Sequence, residues 1–500
     1  MSMPAENTIT APTLAGLLRG FADAPAVAVR GIASDSRGLQ PGFLFLAVAG
    51  ATHHGLDFLD AARKAGVAAV AWDASTGDAP GDIGVPAIAV DDLAGKLGAI
   101  ADRFYGRPSD HLEVIGITGT NGKTTVAWMI AQVAGLLGEK CAYLGTLGHG
   151  VAEVEGAGGM TTPPAVELHG RLAEFVDAGA KHAAVEVSSR ALAQGRVYCV
   201  RFDTAIFTNL TRDHLDYHAD MREYFETKAR LFLDHDPAIQ IVNADSEYGE
   251  ELAADCGPET VTVSTNVEHI PNGRPYLFVR SVAATERGSD VGFISSWGDG
   301  AFALPLPGDF NIANAVLALA WMLRKGVPVD TACGLMSQLQ APPGRMQRVG
   351  AARPAVFIDY AHTPVALDGA LEALRAHCRG RLWCVFGCGG DRDAGKRPQM
   401  GEAAERCSDR VVITSDNPRG EDAGAIIDDI VAGLAQPEDA VIVDDRAAAI
   451  AWAVGQADAG DSVLIAGKGH EDYQEANGER RPFSDYAVAA QALAARGRRA

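Results

Sequence analysis

The sequence predicts an α/β protein of three domains. Its length of 500 residues corresponds to roughly three domains at about 150 residues each. Apolar runs alternate with helical patterns through most of the chain, as in parallel sheets covered by helices. Two Gly- and Pro-containing connectors, 105–110 and 341–344, divide the sequence. We therefore predict a small N-terminal α/β domain (1–109), a central P-loop ATPase-like domain with a parallel sheet (110–342) and a C-terminal Rossmann-like domain (343–500).

The composition is that of a globular protein with an acidic surface. Hydrophobic residues make up 47% and charged residues 21%, which excludes a disordered or fibrous chain. The formal net charge of −21 argues against a nucleic-acid partner and against an anionic membrane surface. It leaves open a small anionic ligand held in a locally basic pocket.

The sequence carries no signal for export or for membrane insertion. The N-terminus has an early Glu and lacks both a basic region and a long apolar core, and no apolar run approaches 18 residues. We therefore expect a cytoplasmic protein, and we expect a monomer. The eight cysteines are scattered without the paired spacing of a zinc site, so we interpret them as reduced thiols.

Each domain has its own pattern of elements. From 11 to 107 the runs FLFLAVAG, VAAVAW and VPAIAV alternate with Gly and Asp turns, as in a small α/β domain. In the central domain, strands are predicted at 111–118, 141–147, 183–188, 204–210, 239–243 and 260–264, helices at 124–139, 165–178 and 220–233, and antiparallel strands within 276–307.

The C-terminal domain brings polar clusters to one edge of its predicted sheet. Strands are predicted at 355–358, 382–386, 410–414, 440–443 and 462–466, with helices that include 423–434 and 446–457. Polar clusters follow four of these strands, at 359–362, 387–393, 416–419 and 467–471. Ligands of such sheets bind at the carboxyl ends of the strands, so these clusters are candidate binding residues.

A glycine-rich loop, Gly119-Thr-Asn-Gly-Lys-Thr-Thr125, lies between a predicted strand and a predicted helix. It departs from the strict phosphate-loop consensus because Ile117 stands where the first Gly is expected. Its amides and the helix N-terminus would hold phosphates, Lys123 would reach the γ-phosphate, and the Thr124 hydroxyl would hold Mg²⁺. The alternative is a strand-to-helix turn without a ligand.

Ten motifs follow one another along the chain. They are GTNGKTT at 119–125, TTP at 161–163, EVSS at 186–189, NLTRDHLDYH at 209–218, GDFNIAN at 308–314, GRMQRV at 344–349, DYAHTP at 359–364, GGDRDAGKRP at 389–398, DNPR at 416–419 and GKGHEDYQ at 467–474. Together they resemble the Mur ligases, the ATP-dependent enzymes that add amino acids to the cell-wall peptide precursor. The resemblance covers nearly the whole chain. Within the family, the chain resembles the ligases that add the third residue to UDP-N-acetylmuramoyl-L-alanyl-D-glutamate.

The resemblance implies a reaction and its partners. A carboxylate of the nucleotide sugar attacks the γ-phosphate of ATP, and an amine, here meso-diaminopimelate, captures the acyl phosphate. Such phosphoryl transfer depends on positioning and charge neutralisation. The implied catalytic residues are Lys123, Lys228, His214 and Arg345.

The resemblance also implies a Mg²⁺ site and a modified lysine. Glu186, at the end of a predicted strand, and His214, just after another, would bind the metal together with Thr124. Lys228 would carry a carbamate derived from CO₂, which converts a cation into a carboxylate able to bind Mg²⁺. Without the resemblance, Lys228 would be interpreted as a surface charge and His214 as a polar residue at a strand end.

The substrate sites implied by the resemblance take residues from all three domains. Those for ATP are Gly119, Thr120, Asn121, Gly122, Lys123, Thr124, Thr125, Asn311, Asn314, Arg345, Asp359 and His362. Those for the UDP-sugar are Ser34, Ser36, Ala51, Thr52, His53, Thr161, Thr162, Ser188, Gln194 and Arg196. Taken alone, Asn311 and Asn314 would fit a helix cap, and the Ser and Thr residues ordinary turns. Two positions depart from the family: Arg190 follows EVSS where His is usual, and His54 stands where Asp is frequent.

The DNPR motif bears on which amine is added. meso-Diaminopimelate carries a distal carboxylate that lysine lacks, and an Arg can bind it in a bidentate manner. Asp416 and Glu471 can accept hydrogen bonds from the distal ammonium. The diaminopimelate residues implied by the resemblance are Arg392, Asp416, Asn417, Pro418, Arg419, Gly467 and Glu471. The alternative is a simple Pro turn with an exposed Arg.

Two other functions fit part of the pattern. A folylpolyglutamate-type ligase would share the loop and the lysine carbamate but not the UDP-sugar domain or DNPR. A P-loop nucleotide-binding regulator would need no second substrate site, so the C-terminal clusters argue against it.

Overall fold

A computed structural model describes residues 12–50, 53–156, 159–266 and 273–498. Its described residues form three α/β units in chain order, each built around its own sheet of four, ten or six strands, together with a separate two-stranded hairpin. The predicted α/β class and three-domain organisation are therefore confirmed. No helix among the described residues is both long and apolar enough to span a membrane.

The N-terminal unit is a four-stranded parallel sheet with its strands in chain order. Its elements are α1 (Leu14–Leu17), β1 (Gly31–Ala33), β2 (Phe43–Ala47), α2 (Leu59–Ala65), β3 (Ala69–Asp73), β4 (Ala87–Val90) and α3 (Leu93–Phe104). Helix α3 also contacts the middle unit. Its Asp102 lies 3.7 Å from the ring of His169, a fully buried residue of that unit.

The middle unit is a ten-stranded, mainly parallel sheet. Its strands are β5 (Glu113–Thr118), β6 (Cys141–Gly145), β7 (Gly148–Val151), β8 (His182–Glu186), β9 (Thr204–Phe207), β10 (Ile239–Asn243), β11 (Val261–Ser264), β12 (Tyr276–Thr285), β13 (Gly288–Ser295) and β14 (Gly300–Leu304). Its helices are α4 (Lys123–Leu136), α5 (Ala165–Asp177), α6 (Ser189–Ala193), α7 (Met221–Leu233), α8 (Glu247–Cys256), α9 (Asp309–Arg324) and α10 (Val329–Met336).

The strand order of this sheet is β14-β13-β12-β11-β10-β9-β5-β8-β6-β7. Strands β5, β8 and β9 lie side by side and run parallel, so their carboxyl ends meet at one edge. Helices α4 and α9 pack on one face of the sheet and α5 and α7 on the other, each over its own apolar core. Strands β12 to β14 form the predicted antiparallel segment.

The C-terminal unit has a six-stranded sheet in the order β15-β16-β20-β17-β18-β19. Its elements are β15 (Gln347–Arg348), β16 (Ala355–Asp359), α11 (Pro364–Arg375), β17 (Leu382–Phe386), α12 (Lys396–Cys407), β18 (Arg410–Ile413), α13 (Ala423–Val431), β19 (Val441–Ile442), α14 (Arg446–Gln456), β20 (Ser462–Ala466), β21 (Tyr473–Ala476), β22 (Glu479–Pro482) and α15 (Asp485–Gly497). All pairs except β15-β16 are parallel, so the four polar clusters leave the sheet at one edge.

Several element ends differ from the sequence prediction. Helix α4 ends at Leu136 rather than at 139, because Gly138 takes a left-handed conformation (φ 82°) that terminates a helix. The strand predicted at 141–147 ends at Gly145, and a separate edge strand, β7, follows it. The hairpin of β21 and β22 was not predicted from its charged sequence.

Candidate active site

The glycine-rich loop packs closely against Thr208 and Asn209, the two residues that follow β9. Gly119 has φ 147°, and a Cβ there would come within 1.9 Å of Thr208 Oγ1. The amides of Thr120 and Asn121 donate to the backbone oxygen and side-chain oxygen of Asn209, at 2.9 and 3.0 Å. The loop therefore enters α4 in a fixed shape, with Lys123 as the first helical residue.

Two lysines converge beneath this loop. Lys123 Nζ and Lys228 Nζ both donate to the carbonyl oxygen of Gly119, at 2.9 and 2.8 Å. Burial, reinforced by the charge of Lys123, holds the pKa of Lys228 well below its ordinary range. Burial also lowers the pKa of Lys123, although Glu186 and Asp213 oppose that change. Lys228 is 1% exposed, so it is not the surface charge that its helix alone suggests.

Glu186, at the end of β8, is a fully buried carboxylate beside the loop. It accepts hydrogen bonds from the hydroxyls of Thr124 (2.9 Å), Tyr143 (2.5 Å) and Thr146 (3.2 Å) and from the amide of Thr146 (2.9 Å). Burial and the negative charge of Glu186 raise the pKa of the Tyr143 phenol well above its usual range. Glu186 and Thr124 are thus held together as an oxygen pair at the N-terminus of α4.

His214 lies in the segment after β9 and has a left-handed backbone conformation, φ 54°. Its ring packs edge-on against Tyr224, 6.0 Å between centroids, and burial lowers its pKa. Among the described residues, no three His, Cys, Asp or Glu side chains come together as a metal site. The predicted set of Thr124, Glu186, His214 and Lys228 includes only two such side chains, and it gains a second carboxylate only if Lys228 is modified.

The C-terminal unit presents a second set of ATP candidates to the loop. The Arg345 guanidinium lies 4.5 Å from the centre of the Tyr360 ring, and its charge acts on Lys123 and Tyr143 of the middle unit. Asp359 accepts the amides of Met346 (2.7 Å) and Ala361 (2.8 Å), and burial raises its pKa against these contacts. Its inward-facing oxygens fix the backbone around Arg345.

The remaining ATP candidates lie on either side of this junction. His362 is exposed, and its Nδ1 lies 2.9 Å from the oxygen of Tyr360. Asn311 and Asn314 are both buried at the start of α9, and Asn311 donates to the oxygen of Pro307 at 2.8 Å. Asn314 lies against the loop, because a Cβ on Gly122 would meet its Oδ1 at 2.3 Å.

The predicted UDP-sugar residues fall into two groups. In the middle unit, Thr162 Oγ1 donates to the oxygen of Glu186 (2.7 Å) and accepts the amide of Ser188 (3.0 Å), while Arg196 donates to the oxygen of Thr162 (2.7 Å). Gln194 accepts from Arg196 at 2.9 Å, and the Thr161 hydroxyl lies 3.2 Å from that of Thr146. These residues form one connected group beside the loop.

In the N-terminal unit, Ser34 and Ser36 follow β1 and are half-buried, and His53 is exposed. Ala51 and Thr52 lie outside the described residues. Among the described residues, no hydrogen bond joins the side chains of Ser34, Ser36 or His53 to the group in the middle unit.

The two departures from the family both have local partners. Arg190 forms an ion pair with Asp216 at 2.5 Å and lies over the Tyr217 ring at 5.1 Å, which ties α6 to the segment carrying His214. His54 caps the short 3₁₀ turn at 55–58, where its Nδ1 accepts the amide of Leu56 at 3.0 Å.

The amine candidates meet where β18 and β20 end. The Asn417 side chain donates to Glu471 Oε2 at 2.8 Å. Asp416 Oδ1 accepts the amide of Asn417 at 2.7 Å, whereas Asp416 Oδ2 is buried and has no hydrogen-bond partner within the described parts of the chain. The sequence suggested that Asp416 and Glu471 both accept from the substrate ammonium. The structure turns Asp416 inward, with its side chain 11% exposed against 20% for Glu471.

Arg419 is held in place through its backbone and one nitrogen. Its φ is 52°, its amide donates to the oxygen of Glu475 at 3.0 Å, and its Nη1 donates to the oxygen of Gly390 at 2.7 Å. The hairpin of β21 and β22 thus supports the DNPR turn. Arg392 is exposed on the neighbouring turn. Pro418 and Gly467 both lie in close approaches at this site. A Cβ on Gly390 would meet the oxygen of Pro418 at 2.0 Å, and one on Gly467 would meet Asp416 Oδ2 at 2.8 Å.

Two buried cations at this edge were missed by sequence reasoning. Lys468 is fully buried and donates to Asn417 Oδ1 at 2.9 Å. Arg446 is 1% exposed, pairs with Asp485 through two hydrogen bonds of 2.7 and 2.8 Å, and lies 3.8 Å from Asp416 Oδ2. Lys468 lies inside a motif that the sequence singled out, whereas nothing near Arg446 marked it.

Comparison with known proteins assigns the whole arrangement to one family. The family model described as "Mur ligase middle domain" matches residues 117–322, "Mur ligase, glutamate ligase domain" matches 344–469, and "Mur ligase family, catalytic domain" matches 28–105. The chain belongs to the Mur ligase family. The resemblance seen in the sequence motifs is therefore confirmed, and the chain is an ADP-forming ligase.

Individual relatives in this family match nearly the full length of the chain. It is 45% identical over 470 residues to a UDP-N-acetylmuramoyl-L-alanyl-D-glutamate--2,6-diaminopimelate ligase of Pseudomonas aeruginosa, covering 93% of this chain and 95% of that one. A ligase of the same name from Chromobacterium violaceum is 46% identical, covering 94% and 95%. A solved structure with that name is 32% identical, with a TM-score of 0.71, and covers 97% and 99%.

Proposed function

We propose that the chain adds meso-diaminopimelate to UDP-N-acetylmuramoyl-L-alanyl-D-glutamate, with hydrolysis of ATP to ADP and phosphate, in peptidoglycan precursor synthesis. The glutamyl carboxylate attacks the γ-phosphorus, ADP leaves, and an acyl phosphate forms. The substrate amine then attacks the acyl carbon, phosphate leaves and the nitrogen loses a proton, which gives the amide. The high similarity to ligases of that name over nearly the whole chain supports this reaction.

The observation that carries the choice of amine is that Arg419 and Glu471 follow β18 and β20, whose carboxyl ends lie at one edge of the sheet. Arg419 uses one nitrogen on the oxygen of Gly390, which leaves the Nε and Nη2 side of its guanidinium for a carboxylate. Glu471 offers a partly exposed carboxylate for an ammonium. A substrate whose far end carries both charges fits this pair, whereas lysine would leave Arg419 without a partner.

The phosphoryl step draws on residues of two domains. The loop 119–125 would hold the phosphates through its amides, with Lys123 at the γ-phosphate. Arg345 would offset the developing charge from the C-terminal side. Because the two sets lie on different domains, domain closure would complete the site and exclude water from the acyl phosphate.

The oxygen donors beside the loop fit Mg²⁺, which prefers oxygen ligands. Thr124 and Glu186 already lie 2.9 Å apart, oxygen to oxygen, and we propose that they hold the ion together with His214 and a modified Lys228. When bound, the ion supplies charge neutralisation to the phosphates.

We propose that Lys228 reacts with CO₂ to give a carbamate. The neutral amine attacks the carbon and releases one proton. The support is that Lys228 is buried beside a second lysine and that burial holds its pKa well below its ordinary range, which favours the neutral amine that reacts with CO₂. Lys228→Ala should abolish phosphate release, with partial recovery on addition of a short carboxylic acid. Lys325→Ala, at the end of α9, serves as a matched control, and full activity of Lys228→Ala would refute the carbamate.

A coupled assay of phosphate release tests the function. The chain is given ATP, Mg²⁺ and UDP-N-acetylmuramoyl-L-alanyl-D-glutamate with meso-diaminopimelate, L-lysine, L-glutamate or no amine. We expect release with diaminopimelate and far less with lysine. A parallel reaction contains a folate and L-glutamate in place of the nucleotide sugar and its amines, and release there alone would indicate a folylpolyglutamate-type ligase. No release under any condition would indicate a nucleotide-binding regulator.

We further propose that the chain acts as a monomer in the cytoplasm. All three substrate sites are assigned to residues of one chain, so the proposed reaction needs no second copy. Light scattering of the purified protein, with and without substrates, tests the monomer directly.

A further inference from the structure

We propose that Lys468 is a positioning residue for the amine substrate, which acts by fixing the side chains of Asn417 and Glu471. This inference rests on the proposed function, because it concerns how that same site recognises its amine. Lys468 lies in the turn after β20, and its side chain has no solvent exposure.

The contacts of Lys468 point to the site rather than to the core. Its Nζ donates to Asn417 Oδ1 at 2.9 Å and to Glu471 Oε2 at 3.2 Å, and it lies 5.5 Å from the centre of the Tyr473 ring. Transfer of an ammonium into a protein interior is costly unless it is paired and hydrogen-bonded. Here the pairing is made with two side chains that the amine site itself uses.

The hydrogen bonds leave Asn417 only one orientation. Its Oδ1 accepts from Lys468 Nζ and from the amide of Glu475 at 3.0 Å, while its Nδ2 donates to Glu471 Oε2 at 2.8 Å. Reversing the amide would place an NH₂ group against two donors. Lys468 and Glu475 therefore fix the direction in which Asn417 donates.

The same contacts leave Glu471 ready for a substrate. Its Oε2 receives two donors, Asn417 Nδ2 and Lys468 Nζ, so the carboxylate is held by one oxygen. Its Oε1 has no hydrogen-bond partner among the described residues, and the side chain is 20% exposed. An ammonium can thus bind Oε1 without reorganising the group, and such preorganisation increases affinity.

The test is a set of variants of the full chain, measured by steady-state phosphate release. Lys468→Met keeps an unbranched chain but removes the charge and the donors. At metal sites, loss of a residue that orients a ligand typically costs about 10- to 100-fold, and Lys468 orients Glu471 in the same indirect way. We therefore expect the KM for meso-diaminopimelate to rise by about that factor, with the KM values for ATP and the nucleotide sugar within about twofold of wild type. Lys325→Met, at the end of α9, is the matched control and should leave all three unchanged.

A double variant separates positioning from a general structural effect. If Lys468 acts through Glu471, then Lys468→Met/Glu471→Gln should be no worse than Glu471→Gln alone, because coupled residues are not additive. A loss equal to the product of the two single losses would overturn the proposal, as would an equal rise in all three KM values. If Lys468→Met alone fails to fold, the double variant, which also removes the unpaired carboxylate, is compared with Glu471→Gln. A higher KM for meso-diaminopimelate in the double variant would then overturn the proposal.

The outcomes distinguish this proposal from the proposed function. If the wild-type chain releases no phosphate with meso-diaminopimelate, the proposed function fails. If the wild type is active and Lys468→Met behaves like Lys325→Met, only the role of Lys468 is refuted.

Discussion

Removal of the Arg419 guanidinium should abolish the preference for diaminopimelate while leaving ATP use intact. Arg419→Ala keeps a non-glycine residue at φ 52°, so the backbone strain is unchanged. The contacts of its amide to Glu475 and of its oxygen to Asn477 belong to the backbone and remain. The variant therefore removes the side-chain bond to Gly390 and the proposed contact with the distal carboxylate.

The size of the effect follows from the donors that Arg419 has free. One nitrogen is occupied by Gly390, so a bidentate contact through Nε and Nη2 provides two charge-assisted hydrogen bonds. At about 1.5 kcal/mol each, their loss amounts to about 3 kcal/mol. This corresponds to a fall of about 100-fold in kcat/KM for meso-diaminopimelate. Arg419→Lys keeps the charge but not the planar pair of donors, so it should recover only part of this loss.

The assay compares kcat/KM for meso-diaminopimelate and L-lysine at saturating ATP and nucleotide sugar. We expect the lysine value to stay within about threefold of wild type, so that the discrimination between the two amines largely disappears. Arg410→Ala is the matched control, because Arg410 is exposed at the opposite end of β18, the strand that leads to the DNPR turn. An equal loss for both amines, or a parallel rise in the KM for ATP, would refute the assignment of Arg419 to the distal carboxylate.

Two further predictions concern the loop and the stability of the C-terminal domain. Gly122 and Gly138 have similar left-handed conformations (φ 86° and 82°), but a Cβ on Gly122 would meet Asn314 Oδ1 at 2.3 Å, whereas Gly138 has open space. Gly122→Ala should raise the KM for ATP by about tenfold or more, while Gly138→Ala should cost only about 1 kcal/mol of stability, as checked by kinetics and thermal unfolding. Burial would raise the pKa of Asp461, but hydrogen bonds from Trp383 and from the amides of Asp458 and Arg381 outweigh it and hold the pKa below its usual value. A depressed carboxyl pKa stabilises the fold above the unfolded value of about 3.9, and this stability is lost as pH falls through the folded pKa. Asp461→Asn should therefore lower the free energy of unfolding by about 2 kcal/mol at pH 7. Between pH 5 and pH 3, the free energy of unfolding measured in urea titrations should fall less in the variant than in the wild type.

The sequence predicted the sheets better than their edges. Long β-branched runs such as Glu113–Thr118 and Ser462–Ala466 are buried on both faces, so hydrophobicity alone identifies them. The hairpin of β21 and β22 escaped prediction because Glu479–Pro482 is exposed and charged, without an alternating apolar pattern. This hairpin holds Arg419 by its backbone, so part of the amine site depends on an element without a sequence signal.

The candidate site was predicted unevenly for a similar reason. Motif positions identify which residues follow a strand but not the direction in which they point. Asp416 was predicted to accept from the amine, and in the structure its Oδ2 lies 3.8 Å from Arg446. Arg446 follows Asp416 by 30 residues, lies in no recognisable motif, and is brought close by the packing of α14. Side-chain direction at a strand end is a tertiary property, set by the neighbouring helices.

Buried cations show where the tertiary structure adds most. Among the described residues, the lysines and arginines classed as buried are Lys228, Arg397, Arg446 and Lys468. Each contacts a group in a segment that follows a strand of the site. Lys228 donates to the Gly119 carbonyl, and Arg397 to the Glu421 carboxylate, which also accepts the amide of Asp391. Arg446 donates to the Ser415 carbonyl, and Lys468 to the Asn417 side chain.

Each of these four side chains donates to protein groups, so their first role is to hold those groups in place. In a chain with a net charge of −21, a cation can remain in water at little cost, whereas burial must be offset by pairing. These buried cations lie near the strand ends of the site. There the free-energy cost of burying them is offset by pairing, and the pairing fixes the carboxylates and carbonyls that face the substrates. Sequence patterns assign lysine and arginine to the surface by default. For this reason Lys228 alone among the four was predicted as a site residue, and only through the family resemblance.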